Sequence, residues 1–420
     1  MATDELGPTS PTETRVVEAN ALALGLSVDA LMENAGRAVA EAAAAHLPPV
    51  PARVVILAGV GNNGGDGTAA AFFLGQWGFA PEVWLVRPSS EIRGSSARRC
   101  WDRARSRCTT HLGVPSEQDL DGAPLAIDAL LGSGQSGPLR SPYRDAVATL
   151  VRSKVPVLSV DVPTGLGGPD AVRPRWTVAL TARKEGMTSE NSGEISIRDI
   201  GIPAEAWQRT GPGEFLRFPT PVGRGARGRN GRVLVIAGGP YSGAPALAGL
   251  AALRSGAERA TIATPSPAAD AVRAASPDLV VHTLGTEAFA PADLSPLARI
   301  LDEGRVTSIV LGMGAGRSEE TLEFFRRFLT DRRGQVPMVV DADALAALTP
   351  TPGGSDRTVA TPNEGEYERV FGRDPSASWP DRLDAARRHA MAWGLTLLAK
   401  GEADRITDGR RAHLNLHHHP

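Results

Sequence analysis

The residues of this chain best suited to chemistry fall in a few short segments of its first half. Gly59-Val-Gly-Asn-Asn-Gly-Gly-Asp-Gly67 follows a β-branched run and precedes a helical pattern. Glycines at such a place let backbone approach a ligand closely, and the first N–H groups of the helix are free to meet an anion. A tight structural turn is the plain alternative, but Asn62, Asn63 and Asp66 add oxygen donors unusual in a segment that only has to turn, and they point to a ligand or ion site. The spacing is not that of a GxGxxG dinucleotide fingerprint, nor of a P-loop, since no GK[ST] follows. Asp128-Ala-Leu-Leu-Gly-Ser-Gly134 and Asp161-Val-Pro-Thr-Gly165 each close an apolar run with an aspartate and continue into a glycine-bearing segment. Open α/β sheets take ligands outside the carboxyl ends of their strands. Either aspartate alone could cap a helix; together with the glycine segment they read as parts of one crevice. Asn63, Asp128 and Thr164 offer the amide, carboxylate and hydroxyl oxygens that suit a hard cation such as potassium.

These residues need a scaffold that sets strand ends in a row. Leu31, Ala35, Ala38, Val39 and Ala42 recur at helical spacing and predict an amphipathic helix over about 29–47. Arg53 to Gly59 predicts a buried strand, with a helix from about Asp66 to Trp77. Further strands are expected at 82–86, 125–129, 156–161, 177–181 and 194–197. Strands alternating with helices imply a parallel sheet covered on both faces. Between about 211 and 231 glycine, proline and arginine dominate, which sets a boundary between domains 1–215 and 216–420. The arginines of that seam either contact phosphate or belong to a solvated linker. The alternation then resumes, with strands at 232–237, 260–263, 308–311, 338–340 and near 395–398, and a helix at 246–255. The halves are alike in class but share no clear internal repeat.

Composition narrows the partners. A length of 420 residues suits two or three domains, and 42% apolar residues suffice for their cores. A net charge of −2 gives no general attraction to nucleic acid or an anionic membrane. Cys100 and Cys108 lack CxxC spacing and read as reduced thiols. No stretch approaches the roughly 18 apolar residues of a membrane span, and Met1 to Thr14 lacks the basic-then-apolar order of a signal peptide. The expectation is a soluble cytoplasmic protein with neither nucleic acid nor membrane as a partner. His417, His418 and His419 read as a tag remnant or natural loop rather than a metal site.

Taken in order, Leu31-Met-Glu-Asn-Ala-Gly36, Gly61 to Gly67, Asp128 to Gly132, Asp161 to Gly165 and Thr181-Ala-Arg-Lys-Glu-Gly186 resemble the successive motifs of NAD(P)H-hydrate epimerases, over roughly residues 10–205. The resemblance implies contacts to a hydrated cofactor, NAD(P)HX, from Asn62, Asn63, Gly64, Gly65 and Asp66, from Gly132, Ser133, Gly134, Gln135, Ser136, Gly137 and Pro138, and from Asp161. It also implies potassium on Asn63, Asp128 and Thr164, the last standing where serine is common, and catalysis by Asp161 and Lys184. Arg183 departs from the proline usual before that lysine. The chemistry implied is inversion at the hydroxyl-bearing C6. The ring nitrogen would assist C–O cleavage or ring opening, Asp161 would move protons, and Lys184 with the glycine-segment amides would stabilise charge.

In the second half, Arg232 to Ala244, Ala252 to Ala257, Leu311-Gly-Met-Gly-Ala-Gly316, Val340-Asp-Ala-Asp-Ala-Leu345, Thr361-Pro-Asn-Glu-Gly-Glu366 and Leu398-Ala-Lys-Gly401 resemble the ribokinase-like NAD(P)H-hydrate dehydratases that use ADP or ATP. The whole is thus expected to be α/β, a Rossmann-like three-layer N-terminal domain followed by a ribokinase-like domain. The resemblance implies a hydrate pocket lined by Ala244, Gly314 and Asn363, the last in place of the usual histidine. Lys400, Gly401, Glu402, Ala403 and Asp404 would border ADP or ATP with magnesium, and a homo-oligomer is usual. In such enzymes the nucleotide's phosphate passes to the C6 hydroxyl, and elimination restores the ring. The chain ends at Pro420 before the GTGD-like anion hole and its aspartate, so the second domain is expected to be incomplete, in a chain that epimerises but does not dehydrate. The rival readings are a small-alcohol or vitamin kinase of the ribokinase-like class and a non-catalytic nucleotide-binding protein.

Overall fold

Val54, Ile56 and Ala58 point to one side of the first strand and Val55 and Leu57 to the other, and all five are fully buried. A strand apolar on both sides must lie inside a sheet covered on both faces. The computed structural model bears this out; it describes residues 7–135, 137–218, 230–351, 357–373 and 378–416. The chain divides into two units, Met1–Trp207 with Gly211–Arg217, and Gln208–Thr210 with Phe218–Pro420. Of the features noted in the sequence, Ser136, residues 219–229 of the arginine-rich seam and His417 to His419 lie outside the described residues.

The first unit holds seven strands: β1 (Arg53–Ala58), β2 (Ala80–Leu85), β3 (Thr109–Leu112), β4 (Ala126–Ala129), β5 (Val157–Val160), β6 (Trp176–Leu180) and β7 (Glu194–Arg198). They lie in the order β3-β2-β1-β4-β5-β6-β7, all parallel. The helices Val28–Ala44, Asn62–Gln76 and Ser95–Ala104 pack on the face of Val54 and Ile56, whereas Tyr143–Ser153 covers Val55 and Leu57. The strand order reverses between β1 and β4, so a crevice opens at their carboxyl ends, which is where such sheets bind ligands. Two expectations shift. The glycine-rich segment is not a turn ahead of a helix at Asp66, because the helix begins at Asn62 and the motif forms its first turns. The edge strand β3 went unread because its residues are polar or exposed, Leu112 included.

The second unit holds β8 (Arg232–Ile236), β9 (Arg259–Thr264), β10 (Leu279–Thr283), β11 (Ser308–Leu311), β12 (Met338–Val340), β13 (Thr358–Ala360), β14 (Thr396–Ala399), β15 (Asp404–Thr407) and β16 (Ala412–Asn415). Their order is β10-β9-β8-β11-β12-β13-β14-β15-β16, parallel as far as β14 and antiparallel beyond it. Leu234 and Ile236 face a core rich in phenylalanine, with Phe289, Phe324, Phe325 and Phe328, while Val235 and Ala237 face the helices Gly243–Arg254 and Ser266–Ala275. The reversal recurs here between β8 and β11. Both units are therefore parallel-dominated α/β folds with the same inner strand order. Among the described residues no helix is long and apolar enough to cross a membrane. Cys100 and Cys108 are unbridged, and burial pushes their thiols up to about 11 and about 12.

The helices Val28–Ala44 and Asn62–Gln76 pack tightly over Gly36, where a Cβ would lie 2.3 Å from that of Ala69. Overpacking of that kind costs about 1–3 kcal/mol. Gly36→Val is accordingly expected to lower the thermal unfolding midpoint; a midpoint equal to that of the parent would mean the helices can part without cost.

Candidate active site

At the tips of β5 and β6 the backbone turns by the same unusual device. Asp161 follows β5 with φ +65°, and Val162 N–H donates to the Val160 carbonyl at 2.8 Å. Thr181 follows β6 with φ +70°, and Ala182 N–H donates to the Leu180 carbonyl at 2.8 Å. A three-residue turn with positive φ at its centre is rare and strained for a side-chain-bearing residue, and such strain gathers at functional sites. The turn after β6 leads to Lys184, which is buried and whose ammonium reaches both the Leu180 carbonyl and Asp161 Oδ1 at 2.5 Å. The two residues expected to be catalytic are thus in direct contact. The N-terminal segment steadies the lysine: Thr9 N–H donates to the Arg183 carbonyl at 2.8 Å, and Glu185 N–H donates to the Thr9 carbonyl at 2.9 Å.

One strand away, the Asp128 carboxylate is wholly buried and collects donors. It accepts from Ser159 Oγ at 2.9 Å, from Thr164 N–H at 2.9 Å, from the Thr164 hydroxyl at 2.7 Å and from Leu130 N–H at 3.3 Å. Burial nevertheless lifts its proton affinity, and these bonds only offset the rise in part. The carboxamide of Asn63 is buried with neither its oxygen nor its nitrogen hydrogen-bonded. A Cβ on Gly132 would stand 3.4 Å from Asn63 Oδ1, so the segment after β4 passes directly over that amide. A buried polar group without a partner costs about 1–3 kcal/mol unless something else satisfies it. A cation is one such partner. Among the described residues no cluster of three or more His, Cys, Asp or Glu side chains could hold a metal ion, so a cation here would rest on neutral oxygens and a single carboxylate.

Asp66, on the second turn of the Asn62–Gln76 helix, is buried and pushed well above the ordinary carboxylate range, by burial first and then by Asp161 and Glu18, with Lys184 opposing. Glu18, on the helix Pro11–Ala23, is raised by burial and by Asp161 and lowered by Lys184 and Arg15. The charges of Asp161 and Lys184 thus reach both Asp66 and Glu18. The motifs did not point to Glu18, because nothing in its helix marks it out until folding brings Thr9 against Lys184. Of the remaining residues, Asn62 is exposed, and Gly64 is pressed to the strand end, where a Cβ would stand 1.8 Å from the Gly59 carbonyl. Ser133, Gly134, Gln135, Gly137 and Pro138 form the half-buried to exposed stretch beyond Gly132.

The second unit repeats the placement with other side chains. Gly314 follows β11 and lies against Tyr241, in the segment after β8 that leads to Ala244. Lys400 follows β14, its N–H donating to the Pro362 carbonyl at 2.8 Å and its ammonium reaching Asp341 Oδ1 at 3.2 Å. Gly401, Glu402, Ala403 and Asp404 make the turn into β15, closed by Gly401 N–H on Asp404 Oδ1 at 3.1 Å. Asn363 caps the helix Glu364–Phe371, its side chain accepting from Glu366 N–H at 2.9 Å.

Ionisable side chains at the carboxyl ends of a doubly wound sheet, followed by a second sheet of like order, define a two-unit α/β enzyme. Residues 28–186 match the family described as YjeF-related protein N-terminus, and residues 233–417 match the family described as NAD(P)H-hydrate dehydratase. The bifunctional NAD(P)H-hydrate repair enzyme Nnr of Pyrobaculum aerophilum is 37% identical over 423 residues, covering 96% of this chain and 83% of its own. That of Archaeoglobus fulgidus is 35% identical over 415 residues, covering 97% and 83%. A solved Bacillus subtilis ADP/ATP-dependent NAD(P)H-hydrate dehydratase, co-crystallised with ATP and Mg2+, is 24% identical over 47% of this chain and 68% of its own, with a TM-score of 0.39. The chain belongs to the family of bifunctional NAD(P)H-hydrate repair enzymes and carries both of its domains. The rival kinase and non-catalytic readings lose their footing, because the match is to the hydrate dehydratases and the epimerase-type unit precedes it.

The crowding of carboxyls has a sign that can be checked. The fold favours protonated Asp66, so its contribution is complete below the ordinary value of 3.8 and is lost as pH rises through the raised one. Asp66→Asn, which cannot ionise, is expected to melt higher than the parent near pH 8, with the gain shrinking on acidification. Equal midpoints at both ends of that range would show that Asp66 ionises freely.

Proposed function

We propose that this chain repairs hydrated NADH and NADPH. Its first unit interconverts the R and S forms of NAD(P)HX at C6, and its second unit is of the type that dehydrates the S form at the expense of ADP or ATP, a step that also needs the GTGD-like anion hole and aspartate not found after Lys400 in this sequence. The observation that most supports the first activity is the buried contact between Lys184 and Asp161 at the strand tips. Epimerisation needs a group to take and return the hydroxyl proton while C6 passes through a planar state. Asp161 is that group, with Lys184 stabilising its carboxylate and the charge that develops on substrate oxygen. Asn62 to Asp66 and Gly132 to Pro138 hold the hydrated cofactor, the glycines admitting it close to the backbone and the free N–H groups of the Asn62–Gln76 helix meeting its phosphates.

Asn63 Oδ1, Asp128 and Thr164 would hold potassium, and the unpaired buried amide of Asn63 is the feature that fits them to it. A bound potassium ion would offset the Asp128 charge and fix the segment after β4 over the cofactor. In the second unit, Ala244, Gly314 and Asn363 line the hydrate site. Lys400 to Asp404 border the nucleotide, whose phosphates would come with magnesium and whose transfer to the C6 hydroxyl sets up elimination of phosphate. Asn363 presents less than a free side chain to that site, since its oxygen already caps a helix. A cytoplasmic location and the homo-oligomeric assembly usual in the family complete this reading.

The test is a direct assay of R-to-S interconversion. Asp161→Asn keeps the shape and tolerates positive φ. It is expected to lower kcat/KM by about 10²- to 10⁴-fold, the usual contribution of a positioned acid–base group, with the fold intact by circular dichroism. Exchanging potassium for a bulky organic cation is expected to slow the parent as well. An Asp161→Asn variant as fast as the parent would refute the assignment.

A further inference from the structure

Inversion through ring opening needs two proton transfers, one from the C6 hydroxyl and one to the ring nitrogen. Asp161, fixed against Lys184, serves the first. The reading above leaves the second without a named donor. The helix Pro11–Ala23 brings one. Ser10 caps it, its Oγ accepting from Glu13 N–H at 3.1 Å, and Val16, Val17, Asn20 and Ala21 form its buried face. Glu18 lies at the margin of that face, half-buried, one turn beyond half-buried Thr14. Thr9, just before the helix, pairs like a strand with Lys184, so the start of the helix is registered on the catalytic lysine itself.

We propose that Glu18 is the second proton-transfer residue of the epimerase centre, working in the opposite sense to Asp161. The proposal rests on the epimerase reading of this unit. In the forward step the Asp161 carboxylate takes the proton of the C6 hydroxyl, and the O–H electron pair becomes the second bond of an aldehyde. The C6–N1 bond breaks with its electron pair going to nitrogen, and the Glu18 carboxyl gives its proton to N1. Rotation about C5–C6 presents the other face of the aldehyde. Reclosure reverses each transfer, returning one proton to Glu18 and one from Asp161, so nothing is consumed. The charges that act on Glu18 are those of Asp161, Lys184 and Arg15, and Glu18 in turn acts on Asp66. Burial and the Asp161 charge together keep Glu18 protonated further up the pH scale than an ordinary glutamate, which suits a donor. Asp66 is similarly shifted but more deeply buried, whereas Glu18 keeps a route to water for exchange of its proton.

The experiment compares pH profiles of kcat/KM for R-to-S interconversion in the parent, Glu18→Gln and Glu18→Asp, with thermal midpoints as a control on folding. Glutamine imitates the protonated carboxyl in shape, so the fold is expected to be kept. The parent should lose rate on the alkaline side as Glu18 gives up its proton. Glu18→Gln should lose about 10²-fold or more and lose the alkaline limb, and Glu18→Asp should recover that limb at reduced rate. A Glu18→Gln enzyme at parental rate, or one that is slower with its alkaline limb intact, would overturn the proposal and in the second case hand the role to Asp66. Failure confined to Glu18→Gln would leave the epimerase reading standing; a parent with no interconversion would overturn both.

Discussion

Lys184 sits almost wholly out of water, and its ammonium has two partners, the Leu180 carbonyl and the Asp161 carboxylate. Taking both charges of such a pair from water is costly, and breaking it by removing one member typically costs about 3–5 kcal/mol. Apolar residues of similar volume would serve stability as well or better. The rest of the first unit follows from this constraint. Burial first, and then the Asp161 charge, drives Asp66 and Glu18 toward their neutral forms, with Lys184 opposing.

Holding that arrangement requires local strain. The left-handed backbone at Asp161 and Thr181 aims the aspartate and starts the path to Lys184, and the sheet keeps both in place through Asp161 N–H on Val178 and Thr181 N–H on Arg198. On the adjacent strand, Asp128 ties the ends of β4 and β5 together through Ser159 and Thr164. The second unit uses the same inner strand order for a different purpose. There the strand ends carry glycines and a half-buried lysine paired with Asp341 instead of a cluster of carboxyls. A shared topology with different tips explains why two halves of one class show no repeat in sequence: the order of strands is set by which runs are apolar, and the chemistry by single residues after them.

What could be read before folding divides along that line. Central strands such as β1, β8 and β11 were legible because buried parallel strands are apolar on both faces. The edge strand β3 and the antiparallel pair β15 and β16 were not, since Thr109-Thr-His-Leu112, Asp404-Arg-Ile-Thr407 and Ala412-His-Leu-Asn415 carry too many polar residues to stand out. The start of the helix at Asn62 was hidden by asparagine and glycine, poor helix formers whose preference is overridden by packing against β1 and β4. Asp161, Lys184, Asp128 and Asn63 were legible from the motifs; the fold adds the contact of Lys184 with Asp161 and leaves the Asn63 amide without a hydrogen bond. Glu18 left no trace in the pattern, because its meaning comes entirely from residues far along the chain.

The most direct test is to remove the ammonium while keeping its volume. Lys184→Met should be assayed for interconversion of the R and S hydrates beside the parent, with folding checked by circular dichroism. A loss of about 10²-fold or more in kcat/KM in a folded protein is the result expected if the buried cation sets the charge of the site. A folded Lys184→Met enzyme that works at the parental rate would contradict the account.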